Sequence, residues 1–182
     1  MKFTSLEIPD LMIIEPDVFV DDRGFFFEAY NQNKFNLAID KNIKFVQDNH
    51  SKSTKGVLRG LHFQKPPFQQ AKLLRVIQGE IFDVCVDLRK NSKTFGKWIG
   101  LNINEHNKKQ LFIPIGFAHG FAVLSSTAEV IYKVSNFYSR EHEGCLRFDD
   151  PFVNIKWPIS IIGISTKDKK GDFFQEVYKF DN

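Results

Sequence analysis

The sequence predicts an all-β fold, a sandwich or jelly-roll barrel. Apolar runs of strand length recur along the whole chain, turn residues separate them, and a clear helical stretch occurs once. The 20 phenylalanines point the same way, because ring side chains suit pleated surfaces and pocket walls. A chain of 182 residues is about one domain's worth, and no repeat, low-complexity tract or Pro/Ser-rich linker divides it, so a single domain over 1–182 is expected.

In chain order, the strand-like runs are Met12–Val20 and Gly24–Tyr30, then Val57–Gln64, Ala71–Ile77, Glu80–Leu88, Gln110–Ile115, Gly120–Ser125 and Val130–Phe137. Gln78-Gly79, Asn91-Ser92 and Ser125-Ser126 mark turns between them. The short helix runs from Lys34 to Ile39 behind an Asn cap. Within Glu80–Leu88, alternation puts Phe82, Val84, Val86 and Leu88 on one face and Ile81, Asp83, Cys85 and Asp87 on the other. Asp83 there reads equally as a pocket residue or a solvent-facing one.

Composition excludes several classes of function. A net charge of +3 with both signs interspersed is too small for nucleic-acid binding, yet it suits a phosphorylated small ligand. No stretch approaches the ~18 apolar residues of a membrane helix. Glu7, Asp10 and Glu15 make the N-terminal segment unlike a signal peptide, so a cytoplasmic protein is expected. Cys85 and Cys145 show neither metal-ligand spacing nor a disulfide framework, and Cys85 reads as a buried thiol.

Polar groups concentrate in three places inside otherwise apolar runs: Asp21 to Glu28, Gln47 to Lys72, and Ile113 to Phe121. The second and third resemble the two halves of the cupin signature, and so imply a double-stranded β-helix, the cupin jelly-roll barrel, with a few short helices. That signature runs Gly, five residues, His, one residue, His, then a Glu separated by six residues from another Gly. Gly56 and His62 match, as do Pro114, Gly116 and His119 in the other half. Gln64 replaces the second His, and Lys72 stands where the Glu belongs before Gly79. A metal cupin needs imidazoles and a carboxylate converging on one cation. An ammonium in that place favours an anionic ligand or a developing oxyanion, so no catalytic metal and no cofactor are expected.

These segments also identify a family. The chain resembles the dTDP-4-dehydrorhamnose 3,5-epimerases in Asp21–Glu28, Gln47–Ser51, Arg59–Gln64, Gln70–Leu73, Gly79–Val84, Gly116–Phe121 and Ser165–Asp168, in order and across nearly the whole chain. The resemblance implies conversion of dTDP-4-dehydro-6-deoxy-D-glucose to dTDP-4-dehydro-L-rhamnose. Protons leave and return at carbons beside a ketone, through an enolate. It assigns His62 as the base, a task that suits imidazole because its ordinary pKa lies near operating pH. Asp168 pairs with that His, Lys72 stabilises the enolate, and Tyr132 donates the proton on the opposite face, made a better acid by a neighbouring cation.

By the same resemblance, Arg23, Glu28, Gln47, Asp48, Asn49, Arg59, His119, Glu143 and Lys167 hold the sugar and nucleotide, with arginines suited to a diphosphate. Phe26 and Tyr138 are candidates to stack on the base, with core packing as the other reading, and His119 reads also as a remnant of an ancestral metal site. A homodimer with exchanged N-terminal strands is implied, and the Phe-rich edge Phe25–Phe27 fits it. Phe148 and Ala122 depart from the family's usual Trp and larger aliphatic residue, which leaves an epimerase of carbon 3 or carbon 5 alone as an alternative. Further alternatives are a non-catalytic sugar-nucleotide-binding cupin, which Lys72, His62 and Tyr132 argue against, and a metal-dependent cupin oxygenase, which Lys72 and Gln64 argue against. On a regular strand Arg59 and His62 face opposite sides, so a shared pocket requires a bulge at Gly60.

Overall fold

A computed structural model describes residues 1–39 and 42–181. Its strands are β1 (Lys2–Ser5), β2 (Met12–Glu15), β3 (Phe19–Asp21), β4 (Gly24–Phe26), β5 (Gln47–Thr54), β6 (Leu58–Gln64), β7 (Lys72–Gln78), β8 (Glu80–Asp87), β9 (Trp98–Asn104), β10 (Gln110–Ile113), β11 (Phe117–Val123), β12 (Thr127–Val134) and β13 (Glu143–Cys145). Two short α-helices, α1 (Gln32–Ile39) and α2 (Thr166–Lys169), and a single 3-10 turn, Arg140–His142, accompany them among the described residues. The strands form a six-stranded sheet, β1-β2-β10-β7-β12-β5, a five-stranded sheet, β13-β6-β11-β8-β9, and a separate β3–β4 hairpin.

The two larger sheets face each other across a core drawn from both. Leu74, Val76, Leu111 and Val130 of one meet Ile81, Cys85, Phe121 and Val123 of the other. Helix α1 seals the outer face of the first sheet, where Phe35 and Ile39 pack on Ile14, Leu73 and Phe112. The C-terminal segment covers the second, setting Val153, Phe174, Val177 and Phe180 against Leu61, Val84, Val86 and Leu88. The faces read from Glu80–Leu88 are therefore the observed ones. The expected jelly-roll class holds, and no helix among the described residues is long and apolar enough to cross a membrane.

Boundaries differ where backbone chemistry interrupts the apolar pattern. The run Met12–Val20 is two strands, because Pro16 has no N–H to give a ladder. Gly24–Tyr30 is strand only as far as Phe26. Helix α1 starts two residues before Lys34, at Gln32, and Asn31 caps it by accepting from the Asn33 and Lys34 N–H groups. The strands β1, β5, β9 and β13 are absent from the expected set. In β9 Ile99, Leu101 and Ile103 alternate with Gly100 and Asn102, a period-2 pattern without the continuous apolar run that marks the expected strands. β5 carries almost no apolar residue, because one face lines a cavity and the other meets solvent.

Candidate active site

One end of the barrel opens into a cavity of about 720 Å³ with walls supplied by both sheets. From the six-stranded sheet come Gln47, Asn49 and Ser51 of β5, Lys72 of β7 and Tyr132 of β12; from the other come Arg59 and His62 of β6, His119 of β11 and Glu143 of β13. The segment 163–168, ending in α2, closes one side.

The bulge at Gly60 is present. Opposite β11, His119 pairs with His62 while Phe121 pairs with Arg59, so β6 spends three residues where β11 spends two. This extra residue brings Arg59 and His62, of opposite parity, to the same cavity. Gly60 has φ +120, and a Cβ there would stand 2.6 Å from the Gly120 Cα and 2.7 Å from the His119 carbonyl oxygen, so only glycine fits.

His62 is bonded through Nε2 to Asp168 Oδ1 at 2.7 Å. With Nε2–H donating to the carboxylate, Nδ1 keeps the lone pair and can accept a proton. Asp168 is itself fixed: its second oxygen accepts from the Gly60 N–H, and its own N–H donates to Ser165 Oγ, the cap of α2. Burial pushes the Asp168 carboxyl up, but the His62, Gly60 and Ser165 hydrogen bonds outweigh it, and its pKa lies below the ordinary value. Asp168 therefore stays ionised and holds the partner imidazole by its Nε2–H.

Lys72 is buried, with Nζ donating to the His62 carbonyl oxygen at 3.0 Å. Burial brings its pKa down from 10.5 to about 8, against the pull of neighbouring Asp83 and Glu143. It is thus a cation at neutral pH in a low-dielectric place, where a charge acts strongly on a nearby oxyanion. On the neighbouring strand β12, across the cavity from His62, burial raises the Tyr132 phenol above its ordinary pKa; the Arg59 cation opposes this and Glu143 adds to it. The expectation of an acidified phenol is therefore reversed, although the group remains protonated at neutral pH and able to donate.

His119 donates from Nε2 to Asp83, 2.9 Å from Oδ2, and burial lowers its pKa despite that carboxylate. Asp83 is 1% exposed, which discards the solvent-facing reading. At the rim, Glu143 accepts from the Tyr138 hydroxyl and pairs with Lys167, tying β13 to α2. Gln47 accepts from the Tyr138 N–H and donates to Asn49, while Arg59 Nε donates to Ser53 Oγ.

A family model described as dTDP-4-dehydrorhamnose 3,5-epimerase matches residues 5–176. The chain belongs to the dTDP-4-dehydrorhamnose 3,5-epimerase family. It is 53% identical over 180 residues to the enzyme of that name from Shigella flexneri, covering 99% of each chain. Among solved structures, the dTDP-4-dehydrorhamnose 3,5-epimerase of Elizabethkingia anophelis superposes with a TM-score of 0.94 at 48% identity, over 98% of this chain and 99% of that one. The dTDP-6-deoxy-D-glucose-3,5-epimerase of Legionella pneumophila, solved with dTDP-4-keto-L-rhamnose, gives a TM-score of 0.94 at 40% identity, over 100% of this chain and 99% of that one.

Within this epimerase fold, His62, Lys72, Tyr132 and Asp168 meet at one cavity, with Gln47, Asn49, Arg59, His119, Tyr138, Glu143 and Lys167 around them. Four expected residues do not line it. Asp48 has the opposite parity from Gln47 and Asn49, so it faces outward and pairs with Lys133. Arg23 and Phe26 ride on the exposed β3–β4 hairpin, where Arg23 is bound to Asp21; Glu28 follows it and pairs with Lys34. Sequence reasoning passed over Ser51, Gln64, Gln70 and Ser165 as cavity residues, though all four stand in segments it matched. Ser51 was available from parity with Asn49, and Ser165 from the cap spacing to Asp168.

Proposed function

We propose that this chain inverts carbons 3 and 5 of dTDP-4-dehydro-6-deoxy-D-glucose, giving dTDP-4-dehydro-L-rhamnose, with the whole chain acting as one epimerase domain. His62, held by Asp168, takes the proton beside the C4 ketone. The electron pair left behind forms an enolate, whose oxygen Lys72 stabilises, and Tyr132 returns a proton to the other face of the carbon. The observation that carries this reading is the placement of His62 and Tyr132 on walls supplied by opposite sheets of one cavity, with the Lys72 cation buried among the same lining residues. Base and acid drawn from opposed walls suit inversion, since a single group on one wall would return the proton to the face it left. Arg59, Lys167 and His119 suit the diphosphate and sugar of the nucleotide.

The reading extends to assembly and setting. Phe19, Val20, Phe25 and Phe26 expose 65%, 78%, 59% and 70% of their surface on one hairpin, an apolar patch that supports docking onto a second copy in a homodimer. Arg23 and Phe26, remote from their own cavity, would then be free to complete the partner's. The two free thiols are consistent with a reducing cytoplasm.

Incubation with dTDP-4-dehydro-6-deoxy-D-glucose in deuterated water tests the reaction. Deuterium at both carbon 3 and carbon 5 of an inverted product is the expected result. Label at one carbon marks a single-carbon epimerase, and a product without label removes the proton-transfer reading altogether.

A further inference from the structure

Cys145 has no part in the chemistry proposed above, yet it stands beside the base. Pairing of β13 with β6 sets Cys145 directly opposite His62, and donor atoms of His62, Cys145 and Asp168 all lie within 4.8 Å of one another. We propose that these three side chains form an inhibitory site for Zn²⁺ at the edge of the catalytic cavity.

The donor set favours this ion. Imidazole nitrogen, thiolate sulfur and carboxylate oxygen are the three ligand types zinc takes, at about 2.0–2.3 Å each, which puts donors in a tetrahedral site roughly 3–4 Å apart. His62 and Asp168 already touch at 2.7 Å, and Asp168 is braced by Gly60 and Ser165, so two ligands are pre-positioned. Small side-chain rotations of Cys145 complete the set, and a water fills the fourth position.

Charge also balances. The thiol loses its proton to solvent as the sulfur binds, so one thiolate and one carboxylate offset the two charges of the ion, and the filled site is neutral next to Lys72. The second thiol, Cys85, is 1% exposed in the barrel core and lies outside this cluster. The ion binds His62 at Nε2, the nitrogen that faces Asp168, so the Nε2 proton is displaced and reappears on Nδ1 by exchange with solvent. Nδ1 then has no lone pair for the carbon acid, and occupancy stops turnover. This inhibition rests on His62 being the base, whereas binding of the ion does not.

Chelator-stripped protein titrated with Co²⁺ and Zn²⁺ separates the two. Wild-type protein is expected to show a thiolate-to-cobalt absorption band that Zn²⁺ abolishes, and Zn²⁺ is expected to inhibit turnover until a chelator is added. Cys145→Ser and Cys145→Ala should keep uninhibited turnover, lose the cobalt band, and need about tenfold more Zn²⁺, or beyond, for inhibition. Equal zinc sensitivity in wild type and both variants, or no cobalt band in wild type, overturns the site. A cobalt band that disappears in the variants while Zn²⁺ leaves wild-type turnover untouched overturns the inhibitory role and removes His62 as base.

Discussion

Replacing His62 by alanine is expected to lower kcat by about 10³- to 10⁴-fold, with little change in the stability of the fold. General acid–base groups typically contribute about 10²- to 10⁴-fold, and in the proposed reaction this one starts both inversions, so the upper half of that range applies. A loss of that size is about 4–5 kcal/mol of transition-state stabilisation. The imidazole is held by Asp168 on one side and is 32% exposed on the other, so its removal opens a polar wall and leaves the apolar core intact. KM should move little, because in the proposed binding mode the sugar nucleotide is gripped by other cavity residues such as Arg59 and Lys167. Steady-state kinetics on the variant check this, with circular dichroism as the fold control. Turnover within tenfold of wild type would show that another residue takes the proton.

Lys72→Met is expected to separate activity from stability. A preorganised charge at a developing oxyanion is typically worth about 10²- to 10³-fold, so kcat should fall by that factor. The protein, however, should become harder to unfold. Lys72 has its pKa lowered from 10.5 to about 8 by burial, a shift equivalent to about 3 kcal/mol of penalty on the folded, charged form. The methionine is of similar length and carries no charge. It forfeits the hydrogen bond to the His62 carbonyl, which for a charged donor costs about 1.5–3 kcal/mol, leaving a net gain of up to about 1.5 kcal/mol near neutral pH.

The pH dependence follows from the same shift. Between about 8 and 10.5 the unfolded chain holds a proton on Lys72 that the folded chain has released. Wild-type stability from this group therefore rises with pH across that window, while below about 8 the folded state bears the full penalty. Catalysis runs the other way: as pH climbs through about 8 the ammonium is lost and wild-type kcat should fall. Denaturant unfolding of both proteins at pH 7 and at pH 10 reads the stability part. The advantage of Lys72→Met should shrink at the higher pH, and a variant less stable than wild type at pH 7 would contradict the burial argument.

Much of this site was legible because its motifs are local. Arg59 to Gln64 and Ser165 to Asp168 each bring several cavity residues within one turn or strand, and parity with a bulge at Gly60 correctly joined Arg59 to His62. The strand β5 was not legible as a strand. Its residues Gln47 to Thr54 alternate between a polar cavity and water, so hydrophobic periodicity, the main strand signal, is missing there. Asp48 was placed with its neighbours by motif although its parity points it away from them, which a strand assignment would have corrected. Arg23, Phe26 and Glu28 lie on or beside a hairpin whose strands pair with neither larger sheet, a property of the tertiary arrangement that the local segment Asp21–Glu28 does not encode. The raised pKa of Tyr132 is likewise tertiary, since burial between sheets outweighs the Arg59 cation.

Proton transfer from two opposed walls is tested most directly by Tyr132→Phe in deuterated water with dTDP-4-dehydro-6-deoxy-D-glucose. With His62 as the proposed base, the variant should still remove the proton, exchange it with solvent through the exposed edge of the imidazole, and return deuterium to the same face. Recovered substrate labelled beside the ketone, with configuration retained and inversion slowed at least about 100-fold, is the expected result. Inverted product formed at the wild-type rate would contradict it.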